Sequence, residues 1–220
     1  MKIFYNLFFI GVFGLIMFSE APSFASVPKK TEAELIQMLH SPDQKKILDA
    51  LDRLPNWYPN SADAIVAIKE IFRSKETTNT SGTPTKIVVE NAGHHDKHFA
   101  TDGGIPHAFL VRKAARALGN YHAVLDQDDL DIIYGFLGAS DPDVVMDGLK
   151  TLRGLNVPQA VPKILPLLKD ENHNIVRDSC RTLAVLGDKN TIPFIEPLLK
   201  DSRFDVRRDA QGAIDKLRAK

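Results

Sequence analysis

A ten-residue segment that returns thirty-one positions later constrains this chain more than any other feature. Residues 161 to 170 align with residues 192 to 201. Val161 meets Ile192, Pro162 meets Pro193, Ile164 meets Ile195 and Pro166 meets Pro197. Leu167, Leu168, Lys169 and Asp170 meet Leu198, Leu199, Lys200 and Asp201, every pair 31 apart. Self-similarity at such a period marks stacked supersecondary units, each too small to bury its apolar face alone.

Each unit reads as two helices. The first carries apolar residues at x, x+3, x+6 and x+7, one face of a 3.6-residue helix. The face is Ile65, Ile68, Ile71 and Phe72, then Leu130, Ile133, Phe136 and Leu137, then Val161, Ile164, Leu167 and Leu168, then Ile192, Ile195, Leu198 and Leu199. A weaker first copy has Leu35, Met38 and Leu39, with Glu32 at x. The second helix repeats an apolar triad at y, y+4 and y+7. Its copies are Ile47, Leu51, Leu54; Val111, Ala115, Leu118; Val145, Leu149, Leu152; Val176, Cys180, Leu183; and Val206, Ala210, Ala213. The pattern predicts an all-α fold, an α-solenoid of five helical hairpins in one continuous stack.

Helix punctuation agrees. Thr31 with Glu34, and Ser41 with Gln44, have capping-box spacing, while Pro42 and Pro142 follow Ser41 and Asp141, where a first turn tolerates proline. Asp170 and Asp201 close first helices and are placed to cap the second ones. Pro162 and Pro193 suit first turns, but Pro166 and Pro197 lie deeper, which predicts short, bent first helices.

The second-helix motifs resemble HEAT repeats, specifically the short HEAT-like variety found in phycobilisome lyases. V-R-K-A-A-R-A-L-G runs from Val111 to Gly119, V-R-D-S-C-R-T-L-A-V-L-G from Val176 to Gly187, and V-R-R-D-A starts at Val206. The resemblance covers roughly residues 31 to 218. It implies that Arg112, Arg177 and Arg207 pair with loop aspartates, a ladder interrupted by Leu48 and Met146. It also implies that the second helices line the concave side, and that the function is protein binding, enzymes being the minority.

Composition sets limits on what this surface recognises. Lys plus Arg and Asp plus Glu both number 28, so no global field favours nucleic acid or an anionic membrane. Recognition by charge must be local, and position y+5 offers it, since Arg116, Lys150 and Arg181 occupy it in successive repeats, followed by Gln211. Equivalent positions of a solenoid align into a row, so these three are candidate contacts to an acidic segment of a protein partner, although Asp147 and Asp178 at y+2 dilute the field. The competing reading is a solvated face with ordinary charge pairing.

From x+7 to y the link is 8 residues in the first, third and fourth copies and 7 in the fifth, but Phe72 to Val111 spans 39. The excess equals one period, yet residues 74 to 104 show neither apolar face and read as a loop insertion, with a short extended run at 86 to 90. Long loops inside compact folds are often functional. Four of the seven histidines, His94, His95, His98 and His107, fall in or beside it with Asp96 and Asp102, a donor set for zinc or another transition metal. No H-E-x-x-H and no His-Glu dipeptide occurs, which speaks against zinc-protease and HEAT-like iron hydroxylase chemistry. Trp57 and Tyr58, between Pro55 and Pro59, read as a seal on the stack end or as a ligand anchor. His40, His122 and His173 read as exposed or as caps.

The N-terminus has the three-part order of a secretory signal peptide. Lys2 precedes an apolar stretch from Ile3 to Phe18, and Ser23 and Ala25 sit at the small positions of a cleavage site after Ala25. The rival is a retained membrane anchor, since roughly 17 residues approach the spanning minimum. Removal of residues 1–25 leaves the repeat domain at 26–220, periplasmic or secreted. In an oxidising compartment the lone Cys180 has no intramolecular partner and reads as a small core hydrophobe. With no nucleophile motif, phosphate loop or diagnostic carboxylate pair, the chain reads as a non-enzymatic scaffold without a cofactor. Its expected partner is another protein, with no nucleic acid and no membrane insertion after cleavage. The alternative is a metal-binding or enzymatic protein using the His-rich loop.

Overall fold

The computed structural model describes residues 29–74 and 107–220. Thr31–Lys220 forms one compact unit. The described residues contain ten α-helices and no strand, arranged as five consecutive hairpins. These are α1 (Glu32–Leu39) with α2 (Gln44–Trp57), α3 (Ala62–Arg73) with α4 (His107–Asn120), and α5 (Gln127–Phe136) with α6 (Pro142–Leu155). The last two pairs are α7 (Val161–Ile164) with α8 (His173–Leu186), and α9 (Ile192–Ile195) with α10 (Phe204–Arg218). None of these helices is long and apolar enough to cross a membrane. The signal segment 1–25, the loop positions 75–104 and the extended run at 86 to 90 lie outside the described residues.

The periodic residues form the core. Ile68, Phe72, Ile133, Phe136, Ile164 and Ile195 are buried from the first helices, and every second-helix triad is buried except at Ile47, which is half-buried against the same cluster. Consecutive second helices α4, α6, α8 and α10 pack one on the next, so each hairpin completes its neighbour's core. The insertion does not disturb this order, because α3 and α4 pack on each other like the helices of the other hairpins.

The prolines act as their positions require. Pro162 and Pro193 occupy the first turns of α7 and α9, and at Leu165–Lys169 and Glu196–Lys200 each helix tightens into a 3-10 segment. Pro166 and Pro197 lack the N–H that would continue an α-helical ladder. Capping follows the sequence at Thr31, whose hydroxyl accepts from the Glu34 amide while Glu34 accepts from the Thr31 amide at 2.7 Å. Asp141 caps α6 just before Pro142. The Ser41 and Gln44 expectation is corrected: Asp43 is the cap of α2, and Ser41 accepts from the Asp43 amide instead. Asp170 and Asp201 likewise stand two residues before the cap positions of α8 and α10. Each accepts from the amide two residues on, at Asn172 and Arg203, and Asn172 caps α8.

Cys180 is fully buried in this core, and burial pushes its thiol up to about 12, with Asp209 adding to the effect. The thiolate is the reactive form, so a disulfide reagent at mildly alkaline pH is expected to label the folded protein at least about 100-fold more slowly than the chain in denaturant. Equal labelling rates in the two states would place Cys180 at a reactive surface instead.

Candidate functional site

The second helices present a face crossed by ion pairs. Their origin lies in the repeat, since y+1 and y+5 of one helix face y+2 or y+3 of the next. Asp147 of α6 receives Arg112 and Arg116 of α4, each at 2.8 Å. Asp209 of α10 receives Arg177 and Arg181 of α8, each at 2.8 Å. Arg177 also reaches Asp205 at 3.0 Å. Burial alone would raise the Asp209 carboxyl; the bond from Arg177 and the nearby Arg181 and Arg208 outweigh it and hold it below the usual carboxylate range.

The pairing with loop aspartates that the resemblance implied is therefore corrected. Arg112 and Arg177 find carboxylates on the following second helix, while the loop aspartates Asp141, Asp170 and Asp201 are engaged by local amides and Asp201 also by the Arg203 guanidinium. Arg207 alone turns to the loop, donating to the backbone carbonyls of Asp201 and Ser202.

Between α6 and α8 the ladder breaks. Met146 stands where the neighbours have arginine, and Asp178 is reached by Lys150 only at 4.0 Å and by Arg181 of its own helix at 3.1 Å. The row Arg116, Lys150 and Arg181 is thus brought to one face as the spacing required. Each member is about one-third to under one-half exposed, with a carboxylate beside it. This interlacing holds the row in register and leaves part of each cation facing solvent.

Sequence reasoning passed over the groove beside the break. Among the described residues, Arg153 of α6, Arg181 of α8, and Arg208 and Lys216 of α10 line it with a single carboxylate, Asp209. The signal was present in the alignment. Arg153 occupies y+8, where the other copies place Pro55, Gly119, Ala184 and Ile214.

The remaining candidates divide differently. His107 begins α4, and its Nε2 lies 2.9 Å from the Ser74 carbonyl oxygen, so the two ends of the insertion meet. His94, His95 and His98 lie outside the described residues, within which no group of three or more metal-binding side chains occurs. Trp57 and Tyr58 pack half-buried against the core, with the Arg53 guanidinium 4.9 Å above the Trp57 ring. His40 closes α1 and lies 3.3 Å from Glu70, His122 contacts the Gly154 carbonyl, and His173 opens α8.

Comparison with known proteins matches the architecture. Residues 136–215 match the family model for HEAT repeats. Among solved structures, a chain of the complex of CpcE and CpcF of phycocyanin lyase from Nostoc sp. PCC7120 is similar, with a TM-score of 0.59 and 20% identity. The likeness covers 91% of this chain and 70% of that one. An engineered protein is similar at a TM-score of 0.48 and 17% identity, over 84% of this chain and 78% of its own. No curated protein matches the sequence.

Proposed function

Starting from a chain that carries HEAT repeats at residues 136–215, we propose that this protein is an exported, non-catalytic scaffold that binds another protein. Binding uses the second-helix face, the concave side in HEAT proteins, together with the insertion at 74–104. The observation that carries this reading is the alignment of Arg116, Lys150 and Arg181 on one face, each paired yet partly open to solvent. Such a row offers a partner charge in fixed register without the ordering cost that free long side chains impose. The similar lyase chain comes from a two-protein complex, which is consistent with a protein partner for this fold. Export rests on the order of Lys2, the apolar stretch and the small residues up to Ala25.

The test is affinity capture from the envelope or secreted fraction with wild type and with a triple variant, Arg116→Gln, Lys150→Gln and Arg181→Gln. Glutamine removes charge without setting new carboxylates against Asp147, Asp178 and Asp209. The variant is expected to keep its helical circular dichroism and lose its main partner. Unchanged recovery removes this face from the binding site.

A further inference from the structure

Deepening that reading and resting on it, we infer that the groove between α6, α8 and α10 receives an acidic peptide segment, one of whose carboxylates seats on Arg153. The groove encloses about 480 Å³, enough for a few side chains of a bound segment. Its charge is unbalanced. Asp209 is already held by Arg177 and Arg181 at 2.8 Å and approached by Arg208 at 3.4 Å, so it has little left to neutralise the other cations.

Arg153 is the member least provided for. It is half-buried, yet among the described residues it forms no ion pair, and its hydrogen bond runs to the Thr182 hydroxyl at 3.5 Å. Burial disfavours its charge; Asp178 opposes this from a distance, and Arg181 and Arg116 add repulsion. A guanidinium carries five donors in a planar fork that matches a carboxylate in two-point fashion. An incoming carboxylate therefore supplies what the fold withholds at this position. The exception to the repeat points the same way, since Gly119 and Ala184 fill the equivalent site without bringing a charge.

The rest of the groove favours a peptide over other polyanions. Beside Arg153 lie Ala184, Ala213 and the 41% exposed Val185, an apolar floor for a side chain next to the acid. Gly212 has open space where a Cβ would stand, so a peptide backbone can approach α10. A neutral protein also provides no long-range attraction to nucleic acid.

The test uses the full chain and fluorescence anisotropy with a fluorescein-labelled peptide of alternating glutamate and leucine. A peptide with glutamine for glutamate and a thymidine oligonucleotide serve as comparisons. The acidic peptide is expected to bind saturably and the glutamine peptide not to. Arg153→Gln is expected to weaken binding about tenfold, the loss of one two-point charged contact. Lys46→Gln, exposed on α2 and outside both the groove and the row, is expected to change it less than about threefold, and Arg153→Lys to fall between. Absence of acidic-peptide binding, equal losses from Arg153→Gln and Lys46→Gln, equal binding of the glutamine peptide, or tighter binding of the oligonucleotide overturns the inference. A partner captured through the row while the peptide ignores Arg153 sinks this inference alone. Peptide binding that depends on Arg153, beside capture unaffected by the triple variant, sinks the row and leaves the groove.

Discussion

Asp129→Ala is expected to lower the unfolding free energy by about 3 kcal/mol, although Asp129 lies far from the second-helix face. Its side chain is 1% exposed and receives a fork from Arg73, with Nε and Nη2 both at 2.6 Å. Lys69 stands 4.0 Å away, and Arg73 also reaches Asp126 at 2.7 Å. This network ties the end of α3 to the start of α5 just before the chain leaves for the insertion. Breaking a fully buried pair costs about 3–5 kcal/mol, but Arg73 is 47% exposed and rehydrates, which removes part of that. Asp129 also closes the capping box of α5 with Asp126, whose loss adds up to about 1 kcal/mol. Urea unfolding followed by circular dichroism measures the sum, and a loss under about 1 kcal/mol would show that Arg73 and Asp129 are mere surface neighbours.

The same residue gives the stability its acid limb. Burial by itself would raise the Asp129 carboxyl, but the Arg73 bonds and charge, with Lys69, outweigh burial and hold it below its unfolded value. Asp209 is lowered by Arg177 and Arg181 against burial, and Asp201 is lowered first by its bond from Arg203. With folded values below the unfolded value of about 3.9, the unfolded chain takes up protons first as acid is added. The contribution is therefore complete above about pH 5 and declines as pH falls through 4 and below. Asp129→Ala is expected to make that decline shallower.

The two kinds of network differ in how far the sequence reveals them. Hairpins are written locally, since Ile164 and Leu168, or Val176, Cys180 and Leu183, share a face by helical spacing alone. Prolines 166 and 197 announce the tightened turns because the missing N–H acts within a single turn. Caps are legible only to within a residue or two: Ser41 and Asp170 accept from the amides of Asp43 and Asn172, and these two, not the residues before them, accept from the helix amides of Lys45 and Asn174. Pairing between repeats depends on the rotation from one hairpin to the next, which no spacing encodes. The row at Arg116, Lys150 and Arg181 was therefore readable, while its partners Asp147, Asp178 and Asp209 were not assigned. Arg73 with Asp129 joins positions on either side of the insertion, and Arg153 carries its meaning only as an exception to the repeat.

Gly154→Ala and Gly135→Ala are expected to change stability in opposite directions. In most exposed helix interiors alanine is favoured over glycine by about 1 kcal/mol. Gly135 follows that rule, since a Cβ there meets nothing within 4 Å, and the variant is expected to gain about 0.5–1 kcal/mol. At Gly154 a Cβ would stand 2.6 Å from the Gly119 carbonyl oxygen and 2.8 Å from its carbon. Those are backbone atoms with no rotamer to change, and a Cβ on Gly119 would in turn meet Thr151 Cα at 3.2 Å, so α4 and α6 must separate. Overpacking that shifts backbone costs about 1–3 kcal/mol, and the stretched contacts of Ala115, Leu118, Leu149 and Leu152 add to it, which outweighs the propensity gain. A net loss of about 2 kcal/mol is expected in urea unfolding, and an unchanged or raised midpoint would mean that this close approach can relax freely. Separation of α4 from α6 also draws Arg112 and Arg116 away from Asp147, so the same methyl group loosens the first rung of the charged row. Capture of a partner that reads the row in register then weakens with Gly154→Ala while Gly135→Ala leaves it unchanged.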